Sequence, residues 1–157
     1  MTKALLQETS HAYHTEIDDL LLAALAQTIC NWSAKSHVVI GLEGHGRDNS
    51  FSDLDLSGTV GWFTNLYPVA LESKIEKPIS DVIKSVKEQL RQIPGKGMAY
   101  GLLRYLHNDA SVRQSLSKKS WDVVFNYLGQ LDNITNDQST FKMAKEATGE
   151  ELSLIHI

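Results

Sequence analysis

HVVIGLEGHGRDNSFSDLDLSGTVGWFTNLYPVALE, residues 37–72, is the stretch on which the fold turns. Its first eight residues, HVVIGLEG, are largely apolar with β-branched side chains at the centre. That pattern predicts a short strand buried on both faces. The strand ends at a carboxylate, Glu43, followed by Gly44, His45 and Gly46. A polar link, RDNSFSDLDLSG (47–58), leads to TVGWFTNLYPVALE (59–72). The β-branched and aromatic content of this second run favours extended chain, interrupted at Pro68.

Helical patterns flank these strands. From Thr15 to Asn31 the apolar residues Ile17, Leu20, Leu21, Ala24, Leu25 and Ile29 recur at helical spacing, with Thr15 as the expected N-cap. Downstream, Pro78 suits a first helical turn. Ile79, Val82, Ile83, Val86, Leu90 and Ile93 then line one face until Pro94-Gly95 stops the helix. KGMAYGLLRYLHND reads as a glycine-rich loop entering a short helix. A strand is expected from Asp122 to Tyr127, with a turn at Gly129, and the remainder is polar and weakly patterned. The order predicts one α/β layer domain without fixing its topology.

Composition narrows the functional classes. The 157 residues carry a formal net charge of −4, which makes no electrostatic case for nucleic acid or an anionic membrane. The one cysteine, Cys30, rules out an internal disulfide and fits a reducing, cytoplasmic setting. The longest apolar run, LLLAALA at 20–26, is too short to span a bilayer, and no signal peptide precedes it.

Glu43 is the most chemically suggestive residue. A carboxylate leaving a buried strand into a glycine turn is open to partial desolvation, which raises its pKa toward the range useful for proton transfer. The alternative is a structural pair with Arg47, and on spacing alone that reading carries more weight. His37 and His45 lack the acid or cysteine pattern that a metal site needs. No phosphate-binding loop or nucleophile elbow is present, and Cys30 falls within a predicted helix. Met98, Tyr100 and Tyr105 read as anchors. Trp62, Phe63 and Tyr67 read as packing or as one wall of an apolar groove.

Five segments, in order, resemble the epimerization domains of non-ribosomal peptide synthetases. YHTEIDDLLLAALAQT resembles the family's D-x-x-L-L-x-A helix, and LEGHGRD its E-G-H-G-R-E motif. GTVGWFTNLYPVALE resembles R-T-V-G-W-F-T-x-x-Y-P-x-x-L-E. IPGKGMAYGLLRYL resembles P-x-x-G-x-x-Y-G, and FNYLGQLD resembles F-N-Y-L-G-Q-F-D. The resemblance covers roughly residues 10–150 and implies the C-terminal lobe of a chloramphenicol-acetyltransferase-like, two-lobed α/β fold. It implies a substrate carried as a thioester on the phosphopantetheine arm of a peptidyl carrier protein, and no cofactor of the domain's own. Epimerization then removes the Cα proton on one face and returns one on the other. Glu43 falls on the proton-carrying glutamate. Asn126 and Tyr127 match a motif near the site and take an orienting or stabilising role, with strand packing as the alternative.

The departures are specific. The six histidines include no H-H-x-x-x-D-G, so the N-terminal lobe, its histidine and the neighbouring synthetase domains are expected to lie outside this chain. Asp48 replaces the final glutamate of its motif, and Gly58 stands where the family has arginine. Residues 1–151 are therefore read as part of a domain beginning at what would be an internal methionine. LSLIHI, 152–157, is read as a translated sequencing-adaptor scar. Such a piece is expected to be inactive alone. The alternatives are a lobe of a condensation domain, which forms an amide, and a non-catalytic carrier-binding module.

Overall fold

The structure, a computed structural model, describes residues 4–46, 55–56, 58–73, 77–117, 121 and 123–127. The chain divides into two compact units, Met1–Asn126 and Tyr127–Ile157. Every element below belongs to the first. A π-helical turn, Ala4–Thr9, runs into a short α1 (Ser10–Tyr13), and a left-handed His14 redirects the chain into α2 (Ile17–Ser33). There follow β1 (His37–Gly44), β2 (Asn65–Glu72), α3 (Ile79–Arg91), a 3-10 turn (Pro94–Gly97), α4 (Met98–Tyr105), α5 (Ala110–Ser117) and β3 (Val123–Phe125). This is the expected α/β order. Helix α5 is an addition to it, begun where the Ser111 amide donates to Asp109 Oδ1 at 2.8 Å. The hydrogen bonds from Ser111 hold the Asp109 carboxyl below its usual range.

Helix α2 differs from expectation at both its start and its face. Glu16, in extended conformation, is the N-cap rather than Thr15, and its amide donates to Asp19 Oδ2 at 2.9 Å. Thr15 is buried, and its amide donates to the carbonyl of Ser10. The buried face comprises Leu20, Leu22, Ala23, Ala26 and Cys30, whereas Ala24 is exposed. LLLAALA is apolar around the whole helix, so periodicity has no polar side to work against. Contact with β1 and α3 makes the choice. The same burial pushes the Cys30 thiol up.

Asp18, in the first turn of α2, has its carboxyl raised first by burial and then by the anions of Glu16 and Asp19, with His45 opposing. Its folded value lies above the ordinary 3.8. The folded state therefore binds this proton more tightly, and the stability it contributes is lost as pH rises from 3.8 through the folded value. Asp18→Asn is expected to melt higher than the parent chain at pH 7, with the difference closing near pH 3. Thermal unfolding at the two pH values checks this.

The sheet has the order β2-β1-β3. Strands β1 and β2 pair antiparallel, with Leu42 opposite Tyr67 and Glu43 opposite Leu66. Strand β3 runs parallel to β1, with Leu42 beside Phe125. Contrary to expectation, Pro68 does not interrupt β2 but pairs with Gly41 inside the ladder. Among the described strands β2 is an edge, where a missing amide directed away from the neighbour costs no ladder bond. Residues 59–64 stay outside the strand, so the extended run is shorter than the sequence suggests. Beyond Glu72 the Gln89 side chain of α3 continues the pairing. It accepts the Glu72 amide at 2.8 Å and donates to the Glu72 carbonyl at 3.2 Å.

Strand alternation divides the sheet into two chemically distinct faces. Ile40, Leu42, Val69 and Leu71 face the core with Val82, Ile83 and Val86 of α3 and the buried residues of α2; Val123 and Phe125 pack against the same cluster. Gly41, Glu43, Val124 and Asn126 therefore present to the opposite face. Lys87 Nζ and Arg91 Nη2 of α3 donate to the carbonyls of Tyr13 and His14, fixing the entry to α2. Among the described residues, no helix is long and apolar enough to cross a membrane.

Candidate functional site

Glu43 lies at the end of the central strand, half-buried, on the face turned away from the helical core. The parallel register that sets Leu42 beside Phe125 brings Asn126 alongside it, and Asn126 Nδ2 donates to Glu43 Oε2 at 2.8 Å. Asn126 engages one carboxylate oxygen. No hydrogen bond to Oε1 is found among the described residues, so Asn126 anchors the carboxylate through Oε2 alone there. The arrangement suits a positioned general base.

The turn after Glu43 is held by its neighbours. Gly46 has φ +63°, and a Cβ there would lie 1.5 Å from the carbonyl oxygen of Phe63. Only glycine permits both that conformation and that approach. His45 is exposed and contributes a positive influence at Asp18, so the turn sits near the start of α2. Among the described residues, no group of three or more His, Cys, Asp or Glu is placed to hold a metal ion. Arg47 and Asp48, and with them the proposed Glu43–Arg47 pair, lie outside the described residues, as do Gly129 and 152–157. Tyr127 opens the second unit and is half-buried.

The aromatic residues of 59–72 do not form one wall. Trp62 is 87% exposed, whereas Tyr67 packs partly against the core. At Gly58 nothing among the described residues lies within 4 Å of where a side chain would begin. One aromatic on the Glu43 face of β1 is one that sequence reasoning passed over. Trp121 lays its indole on Gly41, where a Cβ would come within 2.1 Å of its Nε1. Tyr100 meets Trp121 edge-on, with ring centroids 6.3 Å apart and planes at 65°. Arg104 secures Tyr100 by a 3.2 Å hydrogen bond to its hydroxyl and a guanidinium 5.9 Å from its ring centroid. The available signal was Gly41 itself, since glycine inside a strand marks a close approach. A shallow cleft between α4 and α5 shares Arg104 with this group. Its Arg113 is tied to the carbonyls of His107 and Asn108.

Comparison with known proteins places these features in context. Residues 1–153 match the family model described as the condensation domain. One of the linear gramicidin synthase proteins of Brevibacillus parabrevis is 50% identical over 149 residues, covering 94% of this chain and 2% of that synthase protein. The epimerization domain from the third module of tyrocidine synthetase B is 44% identical, with a TM-score of 0.62 over 69% of this chain and 24% of that one. The first condensation domain of the CDA synthetase shares the fold at 18% identity and a TM-score of 0.52, over 67% of this chain and 24% of that one. The chain thus spans about a quarter of the solved domains and a few per cent of the synthase proteins it matches.

Proposed function

Because the chain belongs to the condensation-domain family of non-ribosomal peptide synthetases, we propose that it supplies the Glu43-bearing lobe of an epimerization domain. The observation that carries the reading is the Asn126–Glu43 hydrogen bond, which joins the LEGHGRD and FNYLGQLD segments of the resemblance. The 44% identity to a solved epimerization domain supports the same choice over condensation. The substrate is an L-aminoacyl or peptidyl thioester on a carrier protein's phosphopantetheine arm, and residues 1–151 are the working part of the chain.

The thioester carbonyl acidifies the Cα–H. Glu43 Oε1 exchanges a proton with Cα on one face, while Oε2 stays fixed by Asn126. The C–H bond breaks, its electron pair delocalises into the thioester as an enolate, and a proton delivered to the other face re-forms the bond with inverted configuration. A two-sided exchange of this kind needs one acid/base group per face. The second is a histidine of the N-terminal lobe, outside this chain. By resemblance of the FNYLGQLD motif, Tyr127 takes an orienting or stabilising role.

The test is to incubate a complete module containing this chain with its L-aminoacyl carrier thioester in deuterated water. The expected products are the D epimer and deuterium at Cα. Amide formation with an acceptor thioester and no Cα exchange would instead identify a condensation domain. Carrier binding with neither reaction would identify a docking module.

A further inference from the structure

We propose that Trp121 is the surface against which the side chain of the carrier-bound residue lies, and that it favours large apolar side chains. This rests on the epimerization reading and adds a specificity determinant to it. Side chains two residues apart on a strand share a face and are about 7 Å apart along it. Gly41 and Glu43 are such a pair, so the indole resting on Gly41 stands one repeat from the proton-transferring carboxylate. That separation is the reach of an amino-acid side chain from its own Cα. A substrate whose Cα meets Glu43 Oε1 can therefore lay its side chain over the indole.

The surface is fixed in advance. Gly41 admits the indole from below, Tyr100 braces its edge, and Arg104 locks Tyr100 from the next turn of α4. Trp121 is only half-buried, so part of the ring is available. Aromatic and aliphatic groups gain from contact with such a face, whereas a methyl side chain is too short to reach it. The chemistry selects phenylalanyl- or leucyl-sized substituents over alanyl ones.

The experiment measures initial epimerization rates of a complete module carrying this chain, with phenylalanyl and alanyl carrier thioesters. Trp121→Ala is expected to lower the rate constant for the phenylalanyl substrate by about tenfold relative to the alanyl one. Trp121→Phe is expected to restore most of the difference. Equal loss with both substrates, or no loss with either, would overturn the proposal, because a purely structural indole has no reason to distinguish them. Glu43→Gln, run in parallel, reports on the underlying reading separately. If it leaves both rates intact the proton-transfer role fails, whatever Trp121 does to the ratio.

Discussion

Glu43→Gln is expected to lower the epimerization rate of a complete module by about 10²–10⁴-fold, the usual contribution of a positioned general acid or base. Glutamine preserves the shape of the side chain, and its amide oxygen still accepts from Asn126 Nδ2, now 2.8 Å from Glu43 Oε2. The strand end is therefore unchanged. What disappears is the capacity to take and return a proton. The loss should fall on kcat, with carrier affinity unaffected. Chiral analysis of the released aminoacyl group measures it, and deuterium wash-in at Cα should fall in parallel. An unaltered rate would leave Glu43 as a strand-end anchor for Asn126 and nothing more.

Gly46→Ala is expected to be the most damaging of the small substitutions in the strand-end turn. A left-handed alanine costs about 1–3 kcal/mol on backbone conformation alone. The new methyl would also meet the Phe63 carbonyl oxygen at 1.5 Å, a bonding distance that a backbone atom cannot avoid by rotation. The turn must open, and Glu43, three residues earlier, loses its fixed exit from β1. A fall in melting temperature of about 5–10 °C follows from the usual conversion for a domain of this size. Activity should fall with it. Gly58→Ala is the matched control. Nothing among the described residues lies within 4 Å of its Cβ position, and its φ is not positive, so its melting temperature should hold.

Much of the site was open to inspection in the linear chain, though for uneven reasons. HVVIGLEG declared itself a strand because β-branched residues sit between a polar start and a glycine turn, and β1 occupies those eight residues. The face of α2 was not legible, because a helix apolar on all sides has no period to read. Pro68 misled for a related reason. Proline argues against a strand only when its missing amide faces a partner, and that depends on which strand is the edge. Glu43 stood out as a carboxylate, but its local spacing pointed toward Arg47. Motif resemblance put Asn126 near the family's site without pairing it to Glu43, and in the structure that contact depends on parallel pairing of β1 with β3. No local pattern reveals that pairing. Trp121 escaped notice because a tryptophan ahead of a strand looks like ordinary packing until its position over Gly41 is known.

The Asn126–Glu43 contact also sets a timetable. The two residues are 83 positions apart, which a ribosome covers in about 4–17 s at ordinary elongation rates. Helices α2 and α3 with strands β1 and β2 comprise residues 17–91, and most of the buried core lies within them. That nucleus can collapse while β3 has yet to emerge, leaving the Glu43 carboxylate without its amide partner and the edge of β1 unpaired. Pairing of β3 with β1 therefore extends the sheet and brings Asn126 to Glu43 in one event. A nascent chain stalled before residue 123 should hold the core and lack the Asn126–Glu43 contact.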